Sequence, residues 1–583
     1  MKNIFYLVGI IAILFSCNTN STPVSDNTDI VNTKLGGEIT IPLDSYFAIE
    51  KPTEVLKVES AQIYGQMFES LVKYDSKTIE VVPSLAEKWD LSEDGITYTF
   101  HLRKGVMFQD NPCFEGGKGR EVTTQDVLDM FYRVYENVPE NTGYFIFQNS
   151  VAGGDDYYNG SATEISGLSA TDETVSVTLV EVSNTFLSKL VTIYGSIIPK
   201  EAYEVEEWSP VGTGPFVYNT KESNSEKVVL TKNPNYWMTD SAGTQLPYLD
   251  QLTYQYYNDD SDKMNGFWNG NVALVKNVPI TKISDVLEER IGDFKGKGAK
   301  YVLESVPQMS TTYLEFNMNS KIMKNPKVRM AINYAIDRKR LVEKTLKNQA
   351  FEIGKFGITP PLPKIYKGYA FEDVEDFGYT RNSEKAKQLL AEAGYPDGKG
   401  FPTISAQFKM DNSMYLIMSE IQNQLKSVLN INVDIEQVEF NQLIENNAMG
   451  TADIFENIWI GDFPSPESFL VNFYGELVPK NKNTPSIVNG SRYINKEFDT
   501  NFEKGMQSKT LEEANAAFVE AEKILLQDAP LAVLFYGENL WLKQASIKNF
   551  YTNGMNYLDF TQVYIDNSKI ENTKEEVAET EEH

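Results

Sequence analysis

The chain is poor in the residues that build cross-links and metal centres. Cysteine occurs only at Cys17 and Cys113, and histidine only at His101 and His583. Two cysteines make no disulfide framework, even in an oxidising compartment. Two histidines exclude a histidine-rich metal site. The sequence also lacks a G-x-S-x-G elbow, a phosphate-cradling Walker loop, an H-E-x-x-H pair and paired-cysteine metal spacing. Gly212-Thr213-Gly214-Pro215 is Gly-rich. Its proline removes an amide donor that a phosphate loop needs, so it reads as a tight turn. Cys113 with His101 would need a third, orienting group to act as a nucleophile pair, and none is evident. Carboxylates are abundant, but nothing in their spacing promotes an acid/base pair. The reading is a non-enzyme without a cofactor.

Positive charge is the second shortage. Lys and Arg number 53 against 82 Asp and Glu, a net charge of −29. A phosphate backbone demands the opposite balance, which discounts nucleic acid as a partner. The acidity reads as solubility at a crowded surface. Long apolar runs are the third shortage. One run occupies residues 4–15, behind Lys2 and ahead of Ser16-Cys17. It is too short for a bilayer span of about 20 residues. A basic flank, a short apolar segment and a small residue before a cysteine make a bacterial lipoprotein signal. Residues 1–16 are therefore expected to be removed and Cys17 lipidated. That anchors the chain at a membrane surface outside the cytoplasm. Residues 17–36 are rich in Asn, Thr and Ser and read as a flexible tether; residues 567–583 read as a disordered acidic tail.

Between these ends there are 41% hydrophobic and 12% aromatic residues, counted over the 583-residue chain, enough for two or three packed units. Ile96, Tyr98, Phe100 and Leu102 alternate, as do Val175, Val177 and Leu179, and Ile431, Val433 and Ile435. Period two predicts half-buried strands. After Thr124 the residues Val127, Met130, Phe131, Val134, Tyr135 and Val138 form one helix face. Asn325-Pro326 opens a second helix, Ser383 caps a third that ends near Gly394, and Thr510 with Glu513 boxes a fourth running toward Leu526. The mixture is α/β with more than one lobe.

Several blocks then fall in a recognisable order. Pro83-Ser84-Leu85-Ala86-Glu87-Lys88-Trp89 leads into Asp94-Gly95-Ile96-Thr97-Tyr98-Thr99-Phe100-His101-Leu102-Arg103-Lys104-Gly105-Val106-Met107-Phe108. Thr124-Gln125-Asp126-Val127, Gly212-Thr213-Gly214-Pro215-Phe216 and Asn233-Pro234-Asn235-Tyr236-Trp237 follow. Phe316-Asn317, Val328-Arg329-Met330-Ala331-Ile332-Asn333-Tyr334-Ala335-Ile336-Asp337-Arg338, a helix at 386–394 and a strand at 432–438 complete the series. Together they resemble the peptide/nickel-type, family 5, solute-binding proteins of ABC importers over about residues 36–566. The pattern is nearest to oligopeptide- and dipeptide-binding lipoproteins. Physically each block is scaffold: Asp94-Gly95 is a turn, Trp89 and Phe100 are core, and Pro326 starts a helix.

The resemblance implies a two-lobed, periplasmic-binding-protein-like α/β clamp of type II, with an extra subdomain on the first lobe. Lobe one would comprise 37–64, 199–305 and 538–566, the extra subdomain 65–198, and lobe two 306–537. It implies a monomer that closes on a peptide and presents it to permease subunits with their ATPases. Within Trp459-Ile460-Gly461-Asp462-Phe463-Pro464-Ser465-Pro466, the stretch that lines the cleft of peptide-binding members, Asp462 matches the residue that holds the peptide ammonium. Main-chain bonds from such a strand read any peptide, and a fixed carboxylate marks its amino end. Taken alone, Asp462 could instead cap the Pro464 turn. Val58, within Lys57-Val58-Glu59, falls where the first lobe would offer a second edge. No cationic residue matches a holder for the ligand carboxylate; Arg329 and Arg338 read as structural ion-pair formers. A sugar, a metal chelate or another small solute stays open as the ligand.

Overall fold

Alternating apolar side chains build three principal sheets in the computed structural model, which describes residues 35–276, 278–279, 282, 286 and 300–566. The leader, Cys17, the tether as far as residue 34 and the tail from 567 lie outside the described residues. Among the described residues no helix is long and apolar enough to cross a membrane.

In the first sheet Glu38–Leu43 runs parallel to Gln251–Tyr256, which pairs antiparallel with Lys227–Lys232, and that strand with Phe216–Tyr218. The second sheet orders Ala86–Leu91, Thr97–Leu102, Thr174–Thr178 and Leu168–Ala170, all antiparallel. Tyr98, Phe100, Val175 and Val177 are buried on its inner face, as the alternation predicts. The Asp94-Gly95 turn joins its first two strands; Gly95 sits at φ 80° and donates its N–H to the Ser92 carbonyl. These two sheets share one apolar core, and they form the first lobe.

Most of the third sheet scaffolds the second lobe, while Leu274 and Trp541 at its far end pack in the first-lobe core. Its main path runs Leu274–Lys276, Leu531–Gln544, Tyr301–Phe316, Ile454–Ile460, Ile404–Lys409 and Val433–Val438, with Glu352–Ile353 paired at the side. It packs a core on each face: Leu314 and Phe316 point to one, Met309 and Tyr313 to the other. Two of its strands are unusually long, 16 residues for Tyr301–Phe316 and 14 for Leu531–Gln544, against a usual five or six. The expected lobe crossings at 305/306 and 537/538 fall inside these paired strands. The sheet's edge also reaches the first lobe, where the Ala273 N–H donates to the Thr40 carbonyl at 2.9 Å.

Several local expectations need correction. The helix Thr124–Val134 is shorter than its apolar face; Tyr135 caps it, and Val138 lies beyond, 38% exposed. Pro139 disfavours helix at the residue before it. The helix Ser383–Glu392 is capped by Asn382, whose side chain accepts the Lys385 N–H; Ser383 is its first residue. Among the described residues Arg329 and Arg338 form no ion pair, contrary to expectation. Arg329 donates to the carbonyls of Met323, Asp528 and Ala529, and Arg338 to those of Asn333 and Val533 and to the Asn333 side chain. The buried guanidiniums satisfy carbonyls, among them those at the end of the helix Leu511–Asp528, that have no partner within their own helix. The Asn325 and Thr510 caps stand where they were expected.

Candidate ligand cavity

The strand Ile454–Ile460 ends in a turn that the chain could not make with a larger residue at 461. A Cβ on Gly461 would lie 2.8 Å from the Phe469 ring and 3.1 Å from Met309 Cε. The Gly461 N–H donates to the Met309 carbonyl at 2.8 Å. Asp462 follows. Its N–H donates to the Ser468 hydroxyl at 2.8 Å, and that hydroxyl donates to Asp462 Oδ2 at 3.3 Å. Pro464 and Pro466 then break the strand, and a short helix, Glu467–Leu470, begins. Trp459 helps to brace the turn, its indole N–H donating to the Ser468 carbonyl at 2.6 Å.

A cavity of about 240 Å³ opens in front of this turn. Ile460, Gly461 and Asp462 form one wall. Lys57 and Val58, at the start of the helix Val58–Tyr64, stand in the first-lobe wall with Ile193 and Tyr194. Trp459 does not line this cavity; it packs on the second-lobe core. Phe463 does not line it either, and is buried in the first-lobe core although it belongs to the second-lobe turn. The lobes therefore touch. A buried ion pair links them, Lys189 Nζ to Glu467 Oε1 at 2.9 Å, with side chains only 10% and 9% exposed. The Thr185 hydroxyl donates to Glu467 Oε2 at 2.9 Å, and Asn184 Nδ2 to the Ser508 carbonyl at 2.7 Å. A smaller cavity of about 90 Å³ beside this link shares Asp462 with the first.

Asp462 keeps surface open to the cavity but is enclosed by protein on all sides. Burial pushes its carboxyl up to about 7, and the bond from Ser468 only partly offsets that. Burial pushes the hydroxyls of Tyr74 and Tyr194, both cavity residues, up; the Ser188 and Thr142 hydroxyls partly offset that, and the Asp462 charge adds a smaller upward push. A second enclosed carboxyl, Glu69, collects three donors: Thr213 at 2.8 Å, Tyr236 at 3.0 Å and the Trp237 indole at 2.9 Å. Two blocks of the family series, that at residues 212–216, read as a tight turn, and that at 233–237, thus converge on one cavity residue. Lys73 Nζ lies 3.9 Å from Asp559 Oδ2, both in the wall. Cys113 and His101 stand apart from all this: burial raises the thiol, and His101 Nε2 bonds Asp90 Oδ2 at 2.7 Å on the neighbouring strand.

Such a cavity, closed between two lobes and holding an ionisable carboxyl, is built to enclose a small solute. Residues 80–480 match the bacterial extracellular solute-binding proteins, family 5 (middle). The chain belongs to this family. This solute-binding protein is 27% identical over 522 residues to heme-binding protein A of Haemophilus influenzae, covering 86% of the chain and 87% of that protein. It is 26% identical over 499 residues to the periplasmic oligopeptide-binding protein OppA of Escherichia coli, covering 84% and 85%. The solved structure of the periplasmic binding protein DppA from Helicobacter pylori in complex with the peptide STSA superposes with a TM-score of 0.75 at 25% identity, over 91% of this chain and 99% of that one. The two-lobed clamp expected from the sequence is the fold observed.

Of the residues singled out from sequence, Asp462, Ile460, Gly461 and Val58 meet at the cavity; Trp459 packs on the second-lobe core, and Phe463 is buried in the first-lobe core and lines the smaller cavity. Sequence reasoning missed Glu69, Lys73, Asn556 and Asp559. Glu69 had a findable signal, since the two Gly/Pro/aromatic blocks needed a common partner. The loop residues had none.

Proposed function

We propose that this protein captures peptides between its lobes and hands them to an ABC import permease. The observation that carries the reading is Asp462, an ionisable carboxyl in an enclosed cavity at the end of a strand. It supports a site in which the peptide ammonium meets Asp462 and the peptide main chain runs along residues 459–463, with Val58 on the facing edge. Charge-assisted bonds of that kind contribute about 1.5–3 kcal/mol. The lobes divide as 37–64, 199–305 and 538–566 against 306–537, with 65–198 as the extra subdomain. Ligand favours the closed form because only that form contacts it from both sides. The closed form is what the permease and its ATPases receive. No chemistry is performed on the peptide. Lipid on Cys17 holds the monomer at a membrane surface outside the cytoplasm. The Escherichia coli and Helicobacter pylori relatives support a peptide cargo by their names. The heme-binding relative favours a second reading, a non-peptide solute in the same cavity. Titration calorimetry with trialanine tests the choice. Asp462→Ala should weaken binding ten- to a hundredfold; a variant that binds as tightly as the parent overturns the assignment.

A further inference from the structure

The loop after the last long strand holds a polar side chain that the fold itself does not use. Asn556 is 4% exposed and borders the cavity, yet among the described residues neither its Oδ1 nor its Nδ2 has a hydrogen-bond partner. Buried amides are almost always paired, because leaving one unpaired is costly. Its backbone is also in the left-handed region, at φ 57°. Asparagine usually enters that region with its side chain bonded to nearby backbone. Here the side chain makes no such bond.

Other groups hold the loop, so Asn556 is not needed to shape it. Asn553 Oδ1 accepts the N–H groups of Met555 and Tyr557, and Asn553 Nδ2 donates to the Tyr557 carbonyl at 2.7 Å. Gln62 donates to the Asn556 carbonyl at 2.8 Å, and Gln66 to that of Leu558 at 2.8 Å. Gln62 comes from the helix Val58–Tyr64 and borders the cavity, and Gln66 from the turn just after that helix. One residue also joins this loop to the Asp462 turn. The Met309 N–H donates to the Gly554 carbonyl at 2.7 Å, while the Met309 carbonyl accepts the Gly461 N–H at 2.8 Å. The register shift between Pro307 and Thr311 takes Met309 out of the ladder with the strand Leu531–Gln544. Asn556 is thus two residues, and Asp462 one residue, from a shared anchor.

We infer that the Asn556 carboxamide is a ligand-reading group that pairs with a main-chain amide near the amino end of the bound peptide. This rests on the peptide reading above. A carboxamide offers one acceptor and two donors, the complement of a peptide group's N–H and C=O. A carboxylate would answer only the donor side and leave Oδ1 unpaired beside it. The shared anchor at Met309 sets the contact close to the ammonium at Asp462. A strained, unpartnered polar residue on a cavity wall is the pattern expected of a group held ready for a ligand.

The test uses trialanine and its ester analogue, in which oxygen replaces the first peptide N–H, titrated against the parent, Asn556→Gly and Asn556→Asp. Glycine keeps the left-handed backbone and deletes the amide; aspartate also tolerates it, replaces the donor with an acceptor and adds a negative charge. The parent should bind the ester at least tenfold more weakly. Asn556→Gly should bind trialanine at least tenfold more weakly than the parent and no longer distinguish the two ligands. Asn556→Asp should fall in the same direction, and the unliganded melting temperatures should stay within a few degrees of the parent. If Asn556→Gly binds trialanine like the parent, or still rejects the ester, the assignment fails while the peptide reading stands. If the parent binds neither trialanine nor pooled di- to hexapeptides, both fall together.

Discussion

Asp462 is where the chemistry of the cavity can be measured one residue at a time. Its folded carboxyl titrates near 7, against 3.8 for a free aspartate, because burial disfavours the charge. The raised value means that the folded chain holds a proton more tightly than the unfolded one. The stability this contributes is full below about pH 3.8 and is lost as pH rises through 7. Binding has the opposite sign. An ammonium needs the ionised carboxylate, so below pH 7 each binding event expels a proton. Trialanine affinity should therefore rise by up to tenfold per pH unit between pH 5 and 7, then level off. Calorimetry in two buffers of different ionisation heat should show proton release at pH 6, and Asp462→Asn should remove both effects. A flat profile in the parent would exclude Asp462 as the ammonium holder. Asp462 stood out in the sequence as an acidic residue between an aromatic strand and a proline-broken turn, and its proposed role came from the family resemblance rather than from that pattern. Asn556 did not stand out, since a lone asparagine in a loop has no periodicity and its role comes from contacts nearly 500 residues away in sequence.

The contacts between elements decide whether the cavity is closed. The helix Phe186–Val191 carries Lys189 onto Glu467, just past the Asp462 turn. Breaking a buried ion pair from one side costs about 3–5 kcal/mol when the survivor stays buried. This pair has a second option, because opening the lobes returns Lys189 to water. Glu467→Ala should consequently widen the unliganded protein, seen as a larger radius of gyration in small-angle scattering, with little change in melting temperature. An unchanged radius together with a lowered melting temperature would mean that the pair holds a fixed interface. Alternation exposed the two central strands of the second sheet, Thr97–Leu102 and Thr174–Thr178, to sequence reading, since each has one buried and one more open face. The two long central strands of the third sheet carry cores on both faces over part of their length, and there residues 308–316 and 531–536 are buried without interruption. Period two disappears in such strands. Polar residues within them, such as Glu315 at 2% exposure, break the apolar signal further.

At the scale of the whole molecule, the ordered series of short blocks revealed the clamp, although each block by itself is only a turn, a cap or a core segment. A net charge of −29 describes the outer surface and says little about a cavity whose walls mix Lys57 and Lys73 with Glu69, Asp462 and Asp559. The cargo is decided by how these few groups are set between two lobes that share long strands. The measurement that tests this most directly is native mass spectrometry of the protein as purified from cells, beside its Asp462→Ala variant. The account predicts a ladder of short peptides on the parent that is lost from the variant. A single non-peptide mass, retained equally by both, would contradict it.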